Sequence, residues 1–347
     1  MNKGHTWWFC YFACKIQNIS IENTSAGLLK AVNLYSPSAL VVIPTAHCML
    51  SSTNFRSTLL HLRFPFSFFL LPIYLFALSQ TTHPNSAKAV WVFVILHFLI
   101  YPASNAFNSY FDRDEGPIGG LEKPPPVQRN LYWTALCFDG VAVLLAWLMV
   151  TEVFAITCLA YILVSRAYSH PWIRLKRYAI LSWLVVAFFQ GGFTYGAVWQ
   201  AIGGEAPTTL FQQPMVLLAM GLATSNLLGF YPMTQIYQHE EDAQRGDQTI
   251  SRMVGIRGTF VLTAVIFLCT TVGFGIYFWE QYLGNVPVMA VYLLVMGPVL
   301  SYFLVWGWRV WHDERQANFR YTMGLNLLGS LCLNLFFGLL CIKNSLF

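Results

Sequence analysis

Charge is what this sequence has least of. Lys, Arg, Asp and Glu together make up 10% of the 347 residues, against about 25% in a soluble domain. That deficit, with 56% hydrophobic residues and a mean hydropathy of +0.53, excludes an ordinary soluble globule and marks an integral membrane protein. The net charge of +5 is too modest to point to nucleic acid, and no such partner is expected. Paired cysteines are lacking as well. None of the eight forms a CxxC, and most sit inside apolar runs (Cys137, Cys158, Cys269, Cys332, Cys341), so neither a disulfide framework nor a zinc site is indicated. They read as small apolar residues. No clear internal repeat is present. The apolar patch "WWFCYFAC" near the N-terminus is too short to span, and with a thin basic flank and no small-residue cleavage site following closely it lacks the layout expected of a signal peptide.

Long apolar runs are what the chain does have. A helix needs about 20 apolar residues to cross a bilayer, and nine segments qualify: 60–79, 88–110, 131–150, 153–169, 179–202, 215–237, 258–281, 286–308 and 321–342. Short polar loops separate them, which predicts an all-α, nine-helix transmembrane bundle over residues 57–347. Small residues in these runs (Gly191, Gly192, Gly221, Gly229) suit close helix contact. Placing the N-terminus and the even-numbered loops on one side gathers Lys123, Arg129, Arg174, Lys176, Arg177, Arg245, Arg252, Arg257, Arg309, Arg315 and Arg320 there, against Lys88 and Lys343 opposite. That bias predicts a multi-pass membrane protein, in the inner membrane if bacterial, with a cytoplasmic N-terminus and an external C-terminus. Residues 1–56 read as an extension, either an upstream start ahead of Met49 or a disordered or amphipathic segment.

The few acids are concentrated. Of 15 Asp and Glu, four lie between residues 112 and 122 (Asp112, Asp114, Glu115, Glu122) and four between 240 and 247 (Glu240, Glu241, Asp242, Asp247). These stretches follow the second and sixth spans, so they share one side and a bundle can bring them together. Asn108 and Asp112 are four apart on one helical face, and Gln238 and Asp242 repeat the interval. Two oxygen-rich helix ends face to face suit Mg²⁺, a hard cation that keeps several waters and takes one or two carboxylates plus phosphate oxygens. Asp112, Asp114, Glu115, Glu241 and Asp242 are the candidate ligands. Arg174, Lys176 and Arg177 in "YSHPWIRLKR", with Lys123 in "LEKPP", lie on the same side and are placed to meet phosphate oxygens. Arg63, opening the first span, either snorkels to the interface or reaches the phosphate or a polar acceptor.

Taken in order, these motifs resemble the UbiA superfamily of intramembrane prenyltransferases. "NSYFDRDEG" is similar to that family's first aspartate motif, keeping Asn108 and Asp112 but carrying Ser109 and Gly116 at the other acidic positions. "QHEEDAQRGDQT" is similar to the second, keeping Asp242, Gly246 and Thr249, with Gln238 at the leading position. "YSHPWIRLKR" resembles the basic segment after the fourth helix, "LRFPFSFFLLP" the opening helix, and Lys123-Pro124 the usual Arg-Pro pair. The resemblance covers about residues 57–345. It implies a polyprenyl diphosphate held through Mg²⁺ by the two acidic motifs, ionisation to an allylic carbocation, and capture by an acceptor, usually an aromatic ring of a phenol or quinone precursor. On that implication Asp112 and Asp242 are catalytic, and Asn108, Gln238, Lys123, Arg174, Lys176 and Arg63 contact the diphosphate. Tyr168 is a cation-facing or acceptor-facing phenol, with an interface anchor as the alternative. Asp114 or Glu115 would replace the carboxylate missing at Gly116, and Glu241 the one missing at Gln238. A terpene cyclase, or transfer to a non-aromatic acceptor, keeps the same diphosphate chemistry. An ion-coupled transporter fits poorly, because transporters hold their charged sites near the midplane.

Within the spans, Asp139 is a functional candidate as an intramembrane acid, or, beside Gly140 where helices can pack, a hydrogen-bonded structural acid. Gln190 and Asn226 either bond across helices or line the substrate pocket, and Pro232 is placed to kink the sixth span.

Overall fold

A computed structural model describes residues 52–282 and 286–346 of the chain. Most of the expected extension lies outside the described residues. Among them the architecture is helical throughout: eight helices are long and apolar enough to cross a membrane, and a bent pair makes a ninth span. This is the expected bundle, because a chain this apolar must satisfy every backbone polar group within its own helices.

The first span is the bent one. Helix α1 (Ser52–Leu62) leads through a 3-10 turn (Phe64–Phe69) into α2 (Leu71–Ser79), with a 41° bend between Phe55–Phe69 and Leu71–Ser79. Arg63 sits at that turn with a left-handed backbone, φ 49°, and Pro65 follows inside it. The other spans are α3 (Ser86–Asp112), α4 (Asn130–Met149), α5 (Glu152–Ser169), α6 (Ala179–Gly203), α7 (Pro214–Gln235), α9 (Ile250–Gln281), α10 (Val286–His312) and α11 (Phe319–Leu346). A short helix, α8 (His239–Gln244), lies between α7 and α9. α3 and α6 each contain a π-helical turn, at Ile95–Ile100 and Phe189–Phe193. α7 runs through Pro232 to Gln235, while the marked backbone break falls at Gly255 in α9, with φ 76° and ψ 172°.

Close packing explains three of the four singled-out glycines. A Cβ on Gly191 would meet the Ala223 backbone at 2.6 Å, one on Gly192 the Thr224 hydroxyl at 2.5 Å, and one on Gly229 the Phe267 ring at 2.6 Å. Gly221 faces open space and does not serve a close contact. An aromatic core, including Phe76 stacked on Phe337 at 4.6 Å between centroids, joins the first and last spans. Asp139 on α4 has the structural role expected of it. Its carboxylate accepts from Arg166 on α5, at 3.0 Å from Nε, and the guanidinium lies 4.1 Å from the centre of the Phe107 ring on α3. One buried ion pair therefore ties three spans together.

Candidate active site

Helix α3 ends at Asp112 because Arg113 turns left-handed, φ 49°, with its N–H closing on the Ser109 carbonyl at 3.0 Å. Such a residue is normally glycine, since a side chain there costs about 1–2 kcal/mol. Among the described residues three non-glycines adopt positive φ: Arg63, Arg113 and Arg174. All three lie where the acidic stretches gather. The reversal at Arg113 brings Asp114 to the same cavity as Asp112. The loop beyond is fixed from the second acidic stretch: the Gly116 N–H donates to Glu241 Oε1 at 2.6 Å, and Gln238 Nε2 donates to the Pro117 carbonyl at 3.2 Å. The two acidic stretches do meet.

The basic segment after α5 locks them together. Lys176 Nζ lies 2.5 Å from Asp112 Oδ1 and 3.2 Å from Asp247 Oδ2, with both carboxylates 5% exposed or less. Arg174 grips Asp247 with two bonds, Nε to Oδ1 at 2.8 Å and Nη2 to Oδ2 at 2.9 Å. Arg245 pairs with Asp114. Arg63, itself buried, donates to the carbonyls of Asn105 (3.1 Å) and Gly119 (3.2 Å), while its Nε has no partner.

Asp242 and Asp247 are five residues apart and differ in electrostatic balance. Burial pushes Asp247 up, but the Arg174 and Lys176 bonds outweigh it and hold the carboxyl below the usual range. Burial pushes Asp242 up to about 7, only partly countered by Lys176; among the described residues the one side-chain partner of its carboxylate is the Thr249 hydroxyl at 3.4 Å. Asp247 is a satisfied structural acid, whereas Asp242 is under-neutralised and faces the cavity.

That cavity holds about 220 Å³. At its polar end stand Asp112, Asp114, Asp242, Lys176, Arg245 and Arg63, with the amides of Asn108 and Gln238. Asn108 Oδ1 accepts from the Ser169 hydroxyl at 2.7 Å. The remaining walls are Val164, Val185, Val186 and Phe189 with the rings of Tyr161, Tyr168 and Tyr231, Tyr168 lying near the polar end, one residue before the end of α5. Tyr161 is eight residues before the end of α5, roughly 12 Å deep at the helical rise. The Tyr168 and Tyr231 hydroxyls bond each other, so Tyr168 faces the cavity and is not an interface anchor.

Of the residues singled out in the sequence, Asn108, Asp112, Asp114, Tyr168, Lys176, Gln238, Asp242 and Arg63 line this cavity. Arg174 stands behind it as the clamp on Asp247, and Glu241 braces the Gly116 loop. Glu115, Lys123 and Arg177 are exposed and do not line it. Arg245, Asn105, Tyr231 and Tyr237 line it without having been singled out. Helical spacing carried a signal for two: Arg245 lies three residues beyond Asp242, and Asn105 three before Asn108. Among the described residues no three acidic, histidine or cysteine side chains converge as a ready-made metal site. The donor set still suits a hard cation that draws one or two protein carboxylates and completes its shell with water and phosphate oxygens. Asp242, which lines the cavity and forms no ion pair among the described residues, is the observation that favours such a charge.

A profile of the UbiA prenyltransferase family matches residues 69–328, and the chain belongs to that family. Its fold is similar to that of a UbiA homologue from Archaeoglobus fulgidus. The likeness to the form bound to GPP and Mg²⁺ has a TM-score of 0.59 at 18% identity, covering 82% of this chain and 99% of that one. For the form bound to DMAPP and Mg²⁺ the values are 0.60, 19%, 83% and 98%. A Cd²⁺-bound form gives 0.58 at 18% identity, over 83% and 99%. At these identities the likeness is one of fold. Comparison with curated proteins gives no match.

Proposed function

We propose that this protein is an integral-membrane prenyltransferase that moves a polyprenyl group from a polyprenyl diphosphate to an aromatic acceptor. The observation that carries the reading is the cavity's polarity: carboxylates and cations crowd one end, and aliphatic and aromatic side chains line the other. An amphiphile with a highly charged head and a hydrocarbon tail matches that gradient. The A. fulgidus homologue, which binds GPP or DMAPP with Mg²⁺, supports the same head group here.

Asp112, Asp114 and Asp242 would hold Mg²⁺, which when bound supplies positive charge against the phosphate oxygens and the developing leaving-group charge. Lys176, Arg245 and Arg63 add direct contacts to the phosphate oxygens. The C1–O bond of the prenyl diphosphate breaks with its electron pair leaving on the diphosphate. The rings of Tyr161, Tyr168, Tyr231 and Phe189 present π faces to the allylic cation. A ring carbon of the acceptor supplies the pair for the new bond to C1 and loses its proton to the departing diphosphate. The aliphatic walls keep water from capturing the cation first.

The excess of Lys and Arg around this end of the bundle supports a cytoplasmic active site, with the C-terminus opposite. Mass spectrometry tests the reading. Incubation with geranyl, farnesyl and geranylgeranyl diphosphates, Mg²⁺ and a panel of phenols is expected to give a prenylated phenol. A cyclised or hydrolysed prenyl product formed equally well without any phenol would replace the transferase with a cyclase or a phosphatase.

A further inference from the structure

Of the eight long spans, α10 is the least buried, with 22% of its apolar stretch inside the protein. Its outer face and the first half of α11 enclose a shallow groove of about 410 Å³. Pro298, Tyr302, Val305 and Trp306 line it from α10, and Tyr321 and Leu328 from α11. Steps of three and four residues put the α10 set on one helical face. Arg309 continues that face and closes one end of the groove, so from Pro298 to Arg309 it runs roughly 16 Å along the helix. Exposed Trp308 and Trp311 flank Arg309 and mark the level of the membrane surface.

The uncharged polar groups of the groove are already engaged. Tyr302 donates to the Tyr321 carbonyl at 3.0 Å, Trp306 Nε1 to the Gln316 carbonyl at 2.8 Å, and the Ser301 hydroxyl to the Gly297 carbonyl at 2.9 Å. Arg309 is the exception. Its guanidinium has five N–H donors; Nη1 donates to the Tyr321 hydroxyl at 2.6 Å, and no carboxylate pairs with it among the described residues. By contrast Arg257, Arg315 and Arg320, at the same end of the bundle, hold the carboxylates of Glu314, Asp313 and Glu122.

An unpaired cation at the membrane surface, at the end of an apolar groove whose own polar atoms are satisfied, fits an amphiphile with an anionic head and a hydrocarbon tail. Phosphate oxygens suit the fork of a guanidinium, and a tail suits the apolar floor. A soluble anion leaves the floor uncovered, and a zwitterionic phospholipid brings a cation of its own to Arg309. A single guanidinium matches the one charge of a phosphodiester, whereas a diphosphate carries several. We propose that the groove between α10 and α11 binds one anionic phospholipid, with its phosphate on Arg309 and an acyl chain along Val305 and Leu328. The groove shares no lining residue with the active-site cavity, and the proposal does not depend on the prenyltransferase reading.

The test uses the full chain in detergent, equilibrated with mixed micelles holding equal amounts of dioleoyl phosphatidylcholine and dioleoyl phosphatidylglycerol. Native mass spectrometry counts the lipid retained. Phosphatidylglycerol is expected to be preferred by about fivefold, the discrimination of one basic side chain at a membrane surface. Arg309→Gln is expected to abolish the preference. Arg315→Gln and Arg320→Gln, whose arginines already hold carboxylates, are expected to keep it. Val305→Trp fills the groove, leaves Arg309 in place, and is expected to reduce retained phosphatidylglycerol to the level of Arg309→Gln. All four substituted residues are exposed, so each variant is expected to fold as wild type does, checked by its melting in lipid-free detergent. Equal retention of the two lipids by the wild type overturns the proposal. So does a preference that survives Arg309→Gln, or one that Arg315→Gln or Arg320→Gln removes equally, since it then belongs to the general positive field of this end of the bundle. Full retention in Val305→Trp reduces the site to a headgroup contact and overturns the groove. A wild-type dimer that Val305→Trp dissociates overturns the lipid and assigns the groove to a second copy of the chain.

Discussion

Lys176 Nζ lies 2.5 Å from Asp112 Oδ1, and the same ammonium reaches Asp247 at 3.2 Å. One cation from the loop after α5 thus joins the end of α3 to the segment between α8 and α9. It stands beside the carboxylates proposed to hold the metal and, in the same place, is proposed to add positive charge for a diphosphate. Asp247, gripped by two bonds from Arg174, is the second carboxylate beside Lys176.

If Asp112 and Asp242 hold the metal, alanine at either position removes transition-state charge stabilisation. Loss of one such electrostatic group costs about 10²–10³ in rate. Asp112→Ala and Asp242→Ala are each expected to lower Mg²⁺-dependent diphosphate release by at least that much while the protein elutes as a folded monodisperse species. Wild-type rates in both variants contradict the metal site.

Asp247 predicts a different phenotype. Removing one partner of a buried ion pair costs about 3–5 kcal/mol, because the other charge is left unpaired. Asp247→Ala strands Arg174 and leaves Lys176 on Asp112 alone, so its main effect is expected on thermal stability in detergent. A variant as stable as wild type shows that Asp247 is not the brace proposed here.

Glu115 and Glu241 separate on structural grounds. Glu115 is exposed, and Glu115→Ala is expected to be near neutral. Glu241 accepts the Gly116 N–H at 2.6 Å, and its loss leaves a partly buried donor unsatisfied, a cost of about 1–3 kcal/mol. Glu241→Ala is therefore expected to destabilise the 113–119 loop, read as faster amide hydrogen exchange there. Equal exchange in the two variants argues against the brace.

The intramembrane pair is a further case. Asp139→Ala leaves Arg166 uncompensated and is expected to lower stability by about 3–5 kcal/mol, whereas the double change Asp139→Leu, Arg166→Leu recovers much of it. A double variant no more stable than the single one contradicts pairing as the reason for Asp139.

The spans were legible because bilayer burial imposes a length and a composition on each helix, and nine such runs follow in order. The meeting of the two acidic stretches was legible from their shared side and their repeated four-residue spacing. What each acid does there was not. Nothing in "FDRDEG" says that Arg113 adopts a left-handed backbone, and that turn sends Asp114 inward and leaves Glu115 exposed. Equally, "DAQRGD" gives no hint that Asp247 is saturated by cations from another loop while Asp242 is not. Arg166 as the partner of Asp139 depends on how α4 lies against α5, which a linear pattern does not order.

Diphosphate release tests the central claim most directly. Purified protein in nanodiscs would be given geranyl, farnesyl and geranylgeranyl diphosphates, with Mg²⁺ or with excess chelator, and with or without a phenol. The account predicts release with at least one diphosphate that requires both metal and phenol. Release that persists in chelator, or that is indifferent to the phenol, contradicts it.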